Sequence, residues 1–194
     1  MPQYMIALFI IFGPVIGYIF QYFEIEKSPK GFSLPISYIL LASNLLRILF
    51  WHYKRFEDIL MYQSIVMILV QLILLRLVCR VRQYSFKRHI QVLSIFALSL
   101  YTLRNIKYSF LTELVGTLAL LIESGLGIPQ FFQNMKVKST EGLDLRLVLT
   151  WMIGDLVKTA LFIYRSSPFQ FIACGIVQMS VDILILWQFI RYRK

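Results

Sequence analysis

Asn44 and Arg47 stand three residues apart, and so do Asp155 and Lys158. On a helix that spacing puts both members of a pair on one face. Glu123 and Asp182 add two further acids, and all six residues fall within long apolar runs. Polar and charged groups at such depth are costly when they face lipid, so they turn inward and pair. They then form either a brace between helices or a polar pathway for a proton or a charged substrate, and both readings stand. The expected partners are Arg47 with Asp155, and Lys158 with Asp182 or Glu123. No nucleophile–base constellation, glycine-rich phosphate loop or cysteine cluster accompanies them. Nothing in the sequence therefore reads as catalytic, no cofactor and no metal are expected, and any movement would run down a gradient. His52 and His89 lack partners at metal-ligand spacing and read as interfacial residues.

The elements that must hold these groups follow from composition. Of 194 residues 58% are hydrophobic and 15% charged, against roughly 25% charged in soluble domains. The mean hydropathy is +0.69. A soluble domain of this size could not hide so much apolar surface. The runs approach 20 residues, the length that crosses a bilayer core. Seven spans are expected: Tyr4–Phe23, Leu34–Trp51, Ile59–Val81, Ile90–Ile106, Glu113–Gln133, Leu145–Tyr164 and Phe169–Ile190. The fourth is the shortest. Cys79 and Cys174 fall inside spans near opposite faces, so they read as small apolar fillers without a disulfide. No Lys or Arg precedes the first apolar run, so it reads as a span and not a cleaved signal peptide.

The net charge of +10 is spread over short loops, which excludes a nucleic-acid face and reads as a topology signal. Lys27, Lys30, Arg80, Arg82, Lys87, Arg88, Lys136, Lys138, Arg146, Arg191, Arg193 and Lys194 lie toward one face. Lys54, Arg55, Arg104, Lys107 and Arg165 lie toward the other. Twelve against five puts the C-terminus in the cytosol, and an N-terminus on the opposite side agrees with an odd number of spans.

Shifting the chain by 111 residues lays Lys27-Ser28 on Lys138-Ser139, Gly31 on Gly142, Asn44 on Asp155, Arg47 on Lys158 and Gln71 on Asp182. Gln21 meets Gln130 at an offset of 109. The fold class expected is an all-α membrane protein with two parallel three-helix repeats joined by a linker helix, a transporter architecture. The first repeat covers 1–81, the basic loop and linker helix 82–112, and the second repeat 113–194. Helices 2 and 6 should face each other across a central axis. Pro14, near Gly13 and Gly17, and Pro129, after Gly125 and Gly127, are candidate hinges together with Gln21 and Gln130. A proline inside a helix frees the carbonyl four residues earlier, for Pro129 that of Gly125.

Pro129-Gln130 followed by Lys138-Ser139-Thr140-Glu141-Gly142 resembles the second motif of the PQ-loop repeat family, and Gln21 with Lys30-Gly31-Phe32-Ser33 resembles the first. The stretches Ala42–Trp51 and Gly154–Thr159 narrow the likeness to solute carrier family 66. The resemblance implies seven helices, a lumenal N-terminus, Golgi or endosomal membranes, and a role in phospholipid distribution, scrambling and endosome-to-Golgi traffic. Other branches export amino acids with protons. Membrane lipids are the expected partners; a small-molecule substrate and homo-oligomerisation stay open. Two departures stand out. Phe20-Gln21 replaces Pro-Gln, which argues against a hinge at the usual place in helix 1. Thr150-Trp151 stands where the exporters carry a carboxylate, and the acid comes a turn later beside Lys158.

Overall fold

The computed structural model describes residues 2–28, 31–55, 58–104, 108–164 and 169–192. Lys30, Lys107, Arg165, Arg193 and Lys194, which enter the charge count, lie outside the described residues. Every regular element among those described is helical: α1 Pro2–Lys27, α2 Leu34–Lys54, α3 Asp58–Val81, α4 Phe86–Leu103, α5 Ser109–Ser124, α6 Ile128–Val137, α7 Leu145–Tyr164 and α8 Phe169–Arg191.

The expected fifth span is therefore two helices. Gly125, Leu126 and Gly127 form a turn between them, where glycine disfavours continuation. Pro129 sits in the first turn of α6, where its missing N–H costs nothing. The Gly125 carbonyl is not freed as the sequence suggested: it accepts from the Ile128 amide at 3.1 Å. Pro129 starts a helix here; it does not bend one. Pro14, by contrast, lies within α1, which stays helical from end to end.

Taking α5 and α6 together, six helices are long and apolar enough to cross a membrane: α1, α2, α3, α5–α6, α7 and α8. α4 is not among them. It has 18 residues and opens with Lys87, Arg88 and His89, so the seven-span expectation meets six helices that satisfy it. The exterior fits lipid. Large apolar side chains such as Phe12, Ile19, Leu69, Ile73, Leu121, Ile153 and Ile183 are exposed, while Gln21, Gln71, Gln130 and Gln188 are fully buried. This inverts the soluble pattern.

Among the described residues, α3 packs on both α1 and α2, and α8 packs on α5, α6 and α7. The halves join where α1 crosses α7 and α2 crosses α5, while α4 lies against α2 and α3. One apolar core, including Tyr18, Ile36, Leu74, Leu147, Trp151 and Ile185, draws on α1, α2, α3, α7 and α8 together. The α2 and α7 backbones do not approach closely; the charged cluster lies between them.

Candidate functional site

Glu123 lies in the last turn of α5, two residues before the Gly125–Gly127 turn. That position aims its carboxylate between α2 and α7. One oxygen accepts from the Arg47 guanidinium of α2. The other lies 3.3 Å from Lys158 Nζ of α7, and Lys158 also reaches Asp155 Oδ1 at 2.9 Å. Arg47 thus takes Glu123 and not Asp155 as its carboxylate. The pairing of Lys158 with Glu123 is present. Position explains the difference: the turn after α5 places Glu123 between the two cations, while Asp155 shares a helix face with its own Lys158.

Neighbours fix this cluster. Arg47 donates to Gln63 Oε1 at 3.5 Å, and Gln63 donates to the Ile10 carbonyl at 2.8 Å. Gln178 donates to the Glu123 carbonyl at 3.2 Å. Asn44 donates to the Leu40 carbonyl at 2.7 Å, one turn back on its own helix. Asp182 lies beside Asp155, with Lys158 nearby. Around the cluster, Asn44 Oδ1, both polar atoms of Gln71, Thr159 Oγ1 and Asp182 Oδ2 are buried without a protein partner. Buried polar atoms left open in this way are rare and call for an explanation. Arg47 and Glu123 are each 16% exposed, whereas Lys158 is 36% exposed. The cluster opens outward on the α7 side.

The two glutamines do something the sequence did not announce. Gln21 donates to the Gly142 carbonyl and accepts from the Asp144 amide, both at 2.8 Å. Gln130 donates to the Gly31 carbonyl and accepts from the Ser33 amide, both at 2.8 Å. Each side-chain amide therefore reads the backbone of the other half as a neighbouring strand would. The two loops meet at their glycines. A Cβ on Gly31 would collide with the Glu141 carbonyl, and one on Gly142, which has φ +83°, with that of Ser28. Gln130 also donates to Asn134 Oδ1, Asn134 to Gln188 Oε1, and Gln188 to the Phe131 carbonyl, at 2.8, 2.8 and 3.0 Å. Asn134 and Gln188 escaped the sequence reading; their only signal was an amide one turn after Gln130 and another buried in the last apolar run.

Asp144, just before α7, accepts from the Arg146 amide at 2.7 Å and from its guanidinium at 3.0 and 2.7 Å. Burial pushes its carboxyl up, but these hydrogen bonds outweigh burial and hold it below its ordinary value. The Arg146 guanidinium in turn lies 3.8 Å over the Phe20 ring. Phe20, the residue in the usual proline position, is thus part of the contact between halves.

Of the residues singled out by the sequence, Arg47, Glu123, Asp155 and Lys158 meet in one cluster, with Asp182 beside Asp155. Asn44 flanks it, Gln21 and Gln130 form the crossed clamps, and Pro14 and Pro129 touch neither arrangement through hydrogen bonds.

Residues 111–171 match the family model for the PQ loop repeat. That segment is similar to a PQ loop repeat. It holds Glu123, the α5–α6 turn, Gln130, Gly142, Asp155 and Lys158. Over 85 residues the chain is 36% identical to Scramblase ANY1 of Saccharomyces cerevisiae, covering 43% of this chain and 21% of that protein. The aligned region thus spans about a fifth of the length of this curated relative. No solved structure matches the chain.

Proposed function

We propose that this PQ-loop membrane protein lets phospholipid headgroups pass between leaflets, as a scramblase or a regulator of aminophospholipid asymmetry. The observation that carries the reading is the outward opening of the mid-span cluster at Lys158. A headgroup whose tails stay in lipid needs a polar path reachable from the side. A carrier of small solutes needs an enclosed site near the midplane. The name of the similar yeast protein points the same way. In this reading α1–α3 and α5–α8 are parallel three-helix repeats and α4 links them. The sequence resemblance to solute carrier family 66 member 2 and the uneven spread of basic residues support a reading in Golgi or endosomal membranes, with a lumenal N-terminus and a cytosolic C-terminus. The chemistry is non-enzymatic.

A second reading, a proton-coupled amino acid transporter of the endolysosomal membrane, draws on the adjacent Asp155 and Asp182. Proteoliposomes with a fluorescent aminophospholipid decide between them. Scrambling predicts that an impermeant quencher reaches nearly all the label, and that Glu123→Leu with Arg47→Met leaves it reaching only the outer half. PH-driven uptake of a labelled amino acid with no lipid exchange would establish the carrier and sink the scramblase.

A further inference from the structure

The face that the charge count leaves poor in Lys and Arg gathers three of its five basic residues into one pocket. Lys54, Arg55 and Arg104 line a cavity of about 550 Å³ with His52, Tyr53, Tyr108, Ser109 and Thr112, and none of these residues is acidic. It lies where α2 and α4 end and α5 begins, and the Tyr53 hydroxyl donates to the Leu103 carbonyl at 2.6 Å, tying the rims together. Two described carboxylates stand at its rim: Glu113 pairs with Lys54 at 2.6 Å, and Asp58 accepts from Trp51 Nε1 at 3.0 Å. Among the described residues no carboxylate pairs with Arg55 or Arg104. Their guanidinium groups instead stack on rings, Arg55 at 4.4 Å over Trp51 and Arg104 at 4.0 Å over Tyr101. A stacked guanidinium keeps its edge free, and that edge carries the forked donors that fit phosphate oxygens. Trp51, Tyr53 and Tyr108 set the pocket at the depth where such rings gather in membranes.

We infer that this pocket binds a phosphate group in the headgroup layer of the face opposite the more basic one. Cations on that face gain nothing from the topology rule. Their convergence on a cavity with no acid among its described lining residues matches an anionic ligand, and the first turn of α5 adds amides without a side-chain cap. The phosphate has two sources, a phospholipid or a soluble phosphate. The site is separate from the mid-span cluster, so its fate and that of the lipid path can be told apart.

The test uses the full chain in neutral detergent micelles, with Tm followed on addition of inorganic phosphate, phosphatidylserine or phosphate-free diacylglycerol. A rise with phosphatidylserine alone assigns a lipid source, and a rise with inorganic phosphate as well assigns the phosphate group itself. In either case Arg55→Gln with Arg104→Gln should weaken the response by roughly tenfold or more, as lost charge-assisted hydrogen bonds do. Arg104→Lys, which keeps the charge and loses the fork, should weaken it less. Arg80→Gln, on the opposite face, should leave it unchanged. If the double variant does not fold, Arg104→Gln alone carries the comparison. No rise with either phosphate compound, an equal rise with diacylglycerol, or an undiminished response in the arginine variants would overturn the proposal.

Discussion

In the first half Gln21 works alone: one turn on stands Ile25, and the 111-residue offset puts Leu77 of α3 at the position of Gln188, both buried. In the second half the same spacings bring Asn134 and, on α8, Gln188, which extend Gln130 into a chain of side-chain amides. The backbone contact is the same on both sides, yet one is backed by packing and the other by hydrogen bonds. The mid-span region diverges in parallel. At the offset that pairs Gln21 with Gln130, Glu123 falls on Pro14. Lys158 therefore has no acid of its own on α1 and shares the one that serves Arg47. The two halves share the contacts that join them and differ in the layers behind those contacts.

The largest effect should come from the one place where the halves are alike. Gly31→Ala puts a methyl into the Glu141 carbonyl, so backbone must move in both loops. A loss of about 3 kcal/mol or more is expected, read as a collapse of the monodisperse peak after mild heating. Normal stability would mean that the glycine contact does not join the halves.

The charge hub comes next. Glu123→Leu strands Arg47 and leaves Lys158 with Asp155 only, at a cost of roughly 3 kcal/mol. Adding Arg47→Met should recover much of it, whereas Arg47→Met added to Asp155→Leu should not. That contrast in double-mutant cycles separates the partner seen here from the one the sequence suggested. Equal coupling would return Asp155 to that role.

The clamps should then differ in size. Gln130→Leu orphans the Gly31 carbonyl, the Ser33 amide and Asn134. Gln21→Leu orphans only the Gly142 carbonyl and the Asp144 amide. Each lost buried partner costs about 1 kcal/mol or more, so Gln130→Leu should lower the unfolding midpoint further. An equal loss would show that the Asn134–Gln188 chain contributes nothing.

Much of this was legible and some was not. Apolar runs gave most of the helices, and the 111-residue offset laid Gly31 on Gly142, which meet in the structure, because periodicity and loop composition are local properties. The partner of Arg47 was hidden, since it depends on where the turn after Ser124 aims Glu123. The crossed role of Gln21 and Gln130 was hidden for a similar reason: a glutamine looks alike whether it flanks a hinge or binds a loop over a hundred residues away. The break at Gly125–Gly127 was half visible, its residues noted but read as a bend.

The smallest expected effect concerns acid. The Asp144 carboxyl is held below its ordinary value in the folded chain. Its stabilisation is present above the normal carboxylate range and fades as pH falls through the lowered value. Ser33, its counterpart in the first half, does not titrate. Asp144→Asn should therefore cost about 1 kcal/mol or less near neutrality and flatten the acid side of a stability–pH curve. An unchanged acid limb would assign that slope to other carboxylates.

The crossed clamps also govern the order of assembly. The Gly31 carbonyl and the Ser33 amide stay unmatched until Gln130 is made, about a hundred residues later. Gln21 waits longer still, 121 residues, for Gly142. Contacts between such distant parts of the chain form late. As the first half enters the membrane on its own, its loop still carries bare backbone groups, so neither half is a finished unit. A chain halted before residue 130 should be held by chaperones or degraded, while separately made halves that meet in one membrane should close each other.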